Sequence, residues 1–107
     1  MPVDTIIKGF KLDDEKIWSR VAKQEDDTRP DWEINWYGPI INCIPRTAYI
    51  EIGAGYEANG EIVTVIVLEI GSASDKQTME KEAVHTDDEA LTQIAKDMLT
   101  PGVWLSL

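Results

Sequence analysis

Residues 47–71 constrain the fold more than any other stretch of this chain. Two β-rich runs, TAYIEIGAGYE and IVTVIVLEIG, flank the tetrapeptide Ala-Asn-Gly-Glu at residues 58–61. Asn-Gly between such runs is the strongest short signal for a β-hairpin, because both residues tolerate the positive φ angles of a two-residue type I′ turn. The second arm, residues 62–70, is almost continuously β-branched, which predicts a central strand that is covered on both faces.

The predicted turn also fixes which residues of the hairpin lie opposite each other. A two-residue turn at positions 59–60 places Ile52 opposite Val67 on an apolar face, and it places Gly53 and Gly55 on a mixed face. Glycine within a strand often marks a close approach by another group. The two glycines therefore indicate either tight packing or a shallow trough that admits a ligand. An extra residue in the turn would exchange the two faces.

Hydrophobic periodicity predicts the remaining elements. These are a strand at residues 3–10 at the edge of the sheet, a helix at 12–24 capped by Asp13, a strand at 32–37, a helix that begins at a Thr86/Glu89 capping box, and a strand at 103–107. Residues 72–82 fit a short helix opened by Ser74 and Gln77 or a loop equally well. Residues 40–45 are apolar and bounded by prolines, which favours a covered loop or edge segment.

This element order predicts an α+β fold. We expect a two-layer sandwich, with a mainly antiparallel sheet of four to five strands and two helices on one face. The 107 residues suit one compact domain that spans residues 1–107.

No apolar run reaches the roughly 18 residues of a membrane span, and the N-terminus lacks a signal-peptide pattern. A single cysteine, Cys43, excludes an intrachain disulfide. We therefore expect a cytoplasmic protein.

The net charge is strongly negative. Twenty Asp and Glu residues against ten Lys and Arg residues give a formal charge of −10. Such a field repels phosphate backbones and anionic lipids, so direct binding to nucleic acid or to a membrane is disfavoured. It accelerates association with a basic protein. The competing interpretation is that the charge serves solubility alone.

Motifs that resemble catalytic or cofactor sites lack the structural surroundings that such sites require. Residues 53–58 read Gly-Ala-Gly-Tyr-Glu-Ala and match a G-x-G-x-x-A dinucleotide fingerprint. That fingerprint requires a helix to begin at the glycines, whereas here the chain turns back into a strand. Cys43 and His85 are the one pair that could act as thiolate and base, but no cationic neighbour favours a thiolate, so Cys43 is interpreted as buried packing. Neither a cofactor nor a metal site is predicted.

Four aromatic residues are candidates for either the core or a binding surface. Strict alternation in residues 32–37 places Trp32 and Trp36 on one face, where we expect core packing. Tyr37 and Trp104 fall off the main apolar faces of their strands, so we interpret them as surface residues.

Three functional hypotheses remain. The first is a small acidic interaction protein that binds a basic protein, as inhibitors, immunity proteins and antitoxins do, and it is not an enzyme. Its candidate binding residues are Glu51, Glu57, Glu61, Asp87, Asp88, Tyr37 and Trp104. The second is a small-molecule binder or enzyme with a pocket near Gly53 and Gly55. The third is a homo-oligomeric structural subunit, for example a homodimer, that pairs through an exposed edge strand at either terminus.

Overall fold

The computed structural model describes residues 5–21 and 40–107, which form a four-stranded antiparallel sheet with helices packed around it. The predicted α+β class is confirmed. The strand predicted at residues 32–37 lies outside the described part, and so do Trp32, Trp36 and Tyr37. The strands are β1 (Thr5–Leu12), β2 (Glu51–Tyr56), β3 (Ile62–Ser72) and β4 (Leu99–Ser106), and the helices are α1 (Asp14–Val21), α2 (Lys76–Lys81) and α3 (Glu89–Met98).

The sheet closes into a small barrel with the strand order β1-β3-β2-β4. Closure is made where Gly55 pairs with Ser106 and Tyr56 pairs with Leu105. The central position predicted for β3 is confirmed, because it pairs with both β1 and β2. The prediction that the first strand is an edge is wrong. The last strand of the chain returns to pair with β1 from Ile6 to Leu12, and no local pattern signals that long-range pairing.

The barrel interior holds a compact apolar cluster. Ile7, Val65, Val67 and Trp104 are buried together, with Val63 packed against them. Inward-facing side chains fill the interior of small barrels. Trp104 is only 7% exposed, so its interpretation as a surface residue is wrong. The indole lies inside the barrel because the sheet curls around it.

A second cluster lies on the outer face of the barrel, beneath α1 and α3. Ile17 of α1 and Leu91 of α3 are fully buried there against Phe10, Ile66 and Leu99 of the sheet. Residues 40–42 have helical backbone, and Ile40 and Ile44 belong to the same cluster. This packing accounts for the apolar stripes on both predicted helices.

Two helix starts differ from the sequence predictions. Leu12 belongs to β1, and α1 begins after Asp13, whose Oδ1 accepts a hydrogen bond from the N–H of Lys16 at 3.1 Å. Asp13 is therefore confirmed as a capping residue. Helix α3 is capped by Asp88, whose Oδ1 accepts from the N–H of Leu91 at 2.9 Å. The predicted cap at Thr86 is wrong. Thr86 lies two residues before the Asp88 cap, and its hydroxyl accepts a hydrogen bond from the N–H of Asp88, outside the helix.

The segment after β3 contains a 3-10 turn, Ala73–Asp75, followed by the short helix α2. Its capping box is formed by Ser72 and Asp75 rather than by Ser74 and Gln77. Met79 is the buried residue of α2, and its sulfur lies against Gly71 of β3. A single buried side chain anchors this helix, which explains its weak sequence signal.

Candidate functional site: an acidic cleft beside an apolar patch

The hairpin loop brings Glu57 and Glu61 together at one end of the sheet. The N–H of Glu57 donates to the carbonyl oxygen of Glu61 at 2.8 Å, and the N–H of Gly60 donates to that of Glu57 at 2.9 Å. Gly60 has a φ of +88°, whereas no non-glycine residue in the described ranges has a positive φ. This is a three-residue loop, a type I turn followed by a left-handed glycine. The two-residue type I′ turn predicted from Asn-Gly is wrong.

The longer loop moves the hairpin register by one residue. Ile52 pairs with Ile66 rather than with Val67, and Gly53 pairs with Val65. Because side chains alternate between faces, this shift exchanges the two predicted faces. Gly53 and Gly55 consequently face the barrel interior with the valines of β3.

An acidic cleft of about 370 Å³ lies between this hairpin and the start of α1. Among the residues that the structure describes, five carboxylates line it, from the end of β1, the first turn of α1 and the hairpin loop, against a single lysine. The lining residues are Lys11, Leu12, Asp13, Asp14, Glu15, Glu57, Glu61, Ile62, Val63 and Thr64. A cleft lined by one sign of charge concentrates the field and attracts ligands of opposite charge.

Lys11 neutralises part of this cleft. Its ammonium forms an ion pair with Glu57 across the cleft, and the two side chains are 22% and 27% exposed. The pair fixes the Glu57 carboxylate and links β1 to the hairpin loop. The described part of the lining holds more carboxylates than cationic side chains, so that part carries a net negative charge.

Asp13 is held in its ionised form. Burial by itself raises the pKa of Asp13, but hydrogen bonds from Thr100 and from the Lys16 N–H, together with the charges of Lys11 and Lys16, outweigh burial and lower its pKa below the ordinary value. Lys16 is itself anchored, since its ammonium donates to the carbonyl oxygen of Leu99 at 3.0 Å. These contacts give the floor of the cleft a fixed negative charge.

An apolar patch adjoins the acidic cleft. We define it by Tyr56, Ile62, Leu105 and Leu107, which are 37%, 61%, 39% and 64% exposed. Tyr56 pairs with Ile62 on one side and with Leu105 on the other, so these three are cross-strand neighbours. The N–H of Leu107 donates to the carbonyl oxygen of Ala54 at 2.9 Å, which continues the patch along β2. Ile62 belongs to both surfaces, because it also lines the cleft.

The other residues predicted as binding residues lie apart from the cleft. Glu51 is exposed at the opposite end of β2 from Tyr56. The two residues are five positions apart along the strand, a distance of about 17 Å. Asp87 is almost fully exposed and lies 3.0 Å from the Nε2 of His85. Asp88 is half-buried and used as the α3 cap. The structure brings together Glu57 and Glu61, and it places Asp13, Asp14 and Glu15 in the same cleft.

The trough proposed above Gly53 and Gly55 is filled by protein. A Cβ at Gly55 would lie 2.7 Å from Trp104 Cβ, and a Cβ at Gly53 would lie 3.2 Å from Val67 Cγ2. The glycines therefore permit close packing inside the barrel. His85 lines a separate cavity beside Lys8 and Leu68.

Cys43 is exposed, so its interpretation as a buried packing residue is wrong. It follows Ile40 and Ile41 and precedes Ile44, and these isoleucines occupy the core positions of the segment instead.

Within residues 5–21 and 40–107, no group of three or more His, Cys, Asp or Glu side chains is arranged to hold a metal ion. In the same ranges, no helix is long and apolar enough to cross a membrane.

Comparisons with known proteins give no relative for this chain: no protein-family model, no curated protein and no solved structure matches it.

Proposed function

We propose that this chain is a small acidic interaction protein that binds a basic protein partner in the cytoplasm, in the manner of an inhibitor, immunity protein or antitoxin. The observation that carries the proposal is the continuity of the acidic cleft with the apolar patch through Ile62. The single cysteine and the net charge of −10 are consistent with this assignment.

The two surfaces supply different parts of a protein interface. Exposed apolar side chains provide the area whose burial holds a complex together, and aromatic residues such as Tyr56 are common among the residues that dominate binding. Ile62 is 61% exposed, so a partner would remove much of its surface from water. The carboxylates beside it would form the polar rim and accept hydrogen bonds from lysine or arginine side chains.

The charge contributes mainly to the rate of association. Rim charges of one sign steer an oppositely charged partner towards the correct face and affect the rate of dissociation much less. The lowered pKa of Asp13 keeps that carboxylate charged at neutral pH. We therefore expect the association rate to fall steeply with salt, because the Debye length shrinks to about 8 Å at 0.15 M.

The first experiment identifies the partner. The purified chain is used to capture proteins from native lysate at low and at high salt, and captured proteins are identified by mass spectrometry. The expected result is a basic protein whose capture decreases at high salt. Recovery of acidic or salt-insensitive proteins alone would contradict the proposal.

The second experiment tests the acidic cleft on the captured partner with a charge-matched pair of variants. Glu15→Gln with Glu61→Gln removes two carboxylates from the cleft lining, and Glu80→Gln with Glu89→Gln removes two exposed carboxylates from elsewhere. Glu15 and Glu89 each lie in the first turn of a helix, so the loss of helix-dipole stabilisation is matched. The cleft variant should associate more slowly and with a flatter salt dependence. Equal behaviour of both variants would exclude the cleft.

A third experiment tests the apolar patch with two exposed isoleucines of the same strand. Ile62→Ala removes a patch side chain, and Ile70→Ala removes one that is 45% exposed near the other end of β3. Loss of a central interface side chain costs more than 1 kcal/mol, so Ile62→Ala should weaken binding by about tenfold, mainly through faster dissociation. Ile70→Ala should bind as the parent does. Unchanged dissociation of Ile62→Ala would remove the patch from the proposal.

A further inference from the structure

Lys8 is the one buried charged residue in the described part of the chain, with 5% of its surface exposed. It lies on β1 between Ile6 and Phe10, two residues from each, so all three side chains leave the strand on the same face. Ile6 and Phe10 are apolar core residues there. A lysine at such a position is unusual, because a buried ammonium is stable only when it is paired and hydrogen-bonded.

The partners of Lys8 do not satisfy its ammonium. Its nearest carboxylate is Glu82, whose Oε2 lies 3.7 Å from Nζ, beyond hydrogen-bond distance. An ammonium has three donors. Every fully buried side-chain nitrogen or oxygen in the described residues has a hydrogen-bond partner. Among the described residues, no acceptor lies within hydrogen-bond distance of the Lys8 ammonium, so the ammonium keeps access to open space.

That space is a cavity of about 260 Å³ between the outer face of the sheet and the segment that follows α2. Lys8 is its buried floor, and Leu68 and Val84 are half-buried walls. The carboxylates are at the rim, because Glu69 is exposed and the Glu82 side chain is 65% exposed. We call it the lysine cavity; its lining residues are Lys8, Leu68, Glu69, Glu82, Ala83, Val84 and His85.

The size and the surroundings of the lysine cavity favour a small occupant. Its volume of about 260 Å³ corresponds to roughly nine water molecules at about 30 Å³ each, which suits a ligand of similarly few non-hydrogen atoms. Residues 82–84 also line a second cavity of about 210 Å³ next to Pro101 and Val103 of β4. The segment therefore has open space on both sides.

We propose that the lysine cavity binds a small zwitterion that carries a carboxylate and an ammonium group. The carboxylate accepts hydrogen bonds from Lys8 at the floor, which completes the environment of the buried ammonium. The ammonium group of the ligand faces Glu69 and Glu82 at the rim. A simple anion would be repelled by the two rim carboxylates, and a simple cation would leave Lys8 without an acceptor.

The test is an NMR titration of the isotopically labelled chain with three probes of similar size: β-alanine, propionate and propylamine. β-Alanine should produce saturable shifts confined to amides of the lysine cavity, and it should bind about tenfold more tightly than either other probe, the factor expected for one additional charged hydrogen bond. Propionate binding that equals β-alanine binding would overturn the proposal. So would a cavity that holds water only, seen as the absence of saturable shifts with all three probes.

Two variants assign the binding to the named side chains. Lys8→Met keeps the length of the side chain, removes its charge and should abolish saturable binding of β-alanine. Glu69→Gln with Glu82→Gln removes both rim carboxylates, including the one paired with Lys8, and it should remove the preference for β-alanine over propionate; thermal unfolding verifies that the variant is folded. Retained binding in Lys8→Met, or a retained preference in the rim variant, would refute the proposal.

Discussion

Gly55 lies directly against Trp104, where a Cβ would come within 2.7 Å of Trp104 Cβ and 3.2 Å of the Leu105 carbonyl oxygen. Trp104 also folds over Gly102, where a Cβ would lie 3.0 Å from the Cη2 and Cζ2 atoms of the indole. The two glycines leave the space that a large aromatic ring needs inside a four-stranded barrel. The pairing of β2 with β4, and hence the position of the apolar patch, depends on this contact.

Gly55→Ala should destabilise the protein by about 2 kcal/mol, because the added methyl group overpacks a filled interior. Gly53→Ala is the matched control, since its nearest neighbours are the ends of side chains, Val67 Cγ2 at 3.2 Å and Ile7 Cδ1 at 3.8 Å. Denaturant unfolding measures both. Equal midpoints for the two variants would show that the barrel does not close tightly at Trp104.

Gly60→Val should cost more stability than Gly60→Asn. The φ of +88° lies in the left-handed region, which costs non-glycine residues about 1–2 kcal/mol and is entered most readily by asparagine. No atom outside the adjacent residues lies within 4 Å of a Cβ at this position, so the effect isolates the backbone. Thermal unfolding of both variants tests the turn. Equal stability of the valine variant and the parent would contradict the three-residue loop.

The hairpin shows where sequence analysis succeeds and where it stops. Asn-Gly between β-rich arms located the turn correctly, because that preference is local. The same dipeptide fits a two-residue turn with both residues left-handed and a three-residue loop with Gly60 alone left-handed. Packing of Gly53 and Gly55 against Trp104 and Ile7 accompanies the second register, and that packing involves residues distant in sequence.

The candidate site was predictable only in part. Glu57 and Glu61 could be placed together because they flank one loop. Their proximity to Asp13 requires the pairing of β1 with β3 that brings Lys11 opposite Val65. The sequence does not single out Lys8, because an isolated lysine in a short strand has the same pattern whether its face is covered or solvated. The segment that covers it lies more than 70 residues away.

Asp88→Ala should destabilise helix α3 by about 1 kcal/mol, because it removes the acceptor for the N–H of Leu91. Thr86→Ala is the control. Its hydroxyl accepts from the N–H of Asp88 outside the helix, so the loss should be smaller. Chemical denaturation compares the two variants. A larger effect from Thr86→Ala would place the helix start two residues earlier.

Cys43 should react with a thiol reagent in the folded protein at a rate close to that of the unfolded chain, because its side chain is exposed. Cys43→Ser should change the free energy of unfolding by less than about 0.5 kcal/mol, as surface substitutions usually do. Ile44→Ser is the contrasting variant, since Ile44 is 4% exposed in the outer cluster. Protection of Cys43 from the reagent under native conditions would contradict its exposure.

Asp13 should make stability depend on pH in the acid range. Its pKa is lowered in the folded protein, since hydrogen bonds from Thr100 and the Lys16 N–H, with two lysine charges, outweigh the effect of burial. A carboxyl whose pKa is lower when folded than when unfolded binds more protons in the unfolded state. Its stabilisation is therefore complete above the unfolded pKa of about 3.9 and is lost as the pH falls through the lower folded value.

Asp13→Asn keeps a capping side chain and removes the charge, so it isolates this ionisation. The variant should be less stable than the parent at neutral pH, and the difference in free energy of unfolding should shrink as the pH falls below about 4. Glu61→Gln removes an exposed carboxylate of the same cleft and controls for the loss of one negative charge there. Urea denaturation at intervals from pH 3 to 7 provides the comparison. A difference between parent and Asp13→Asn that stays constant across this range would show that Asp13 contributes only as a neutral capping group.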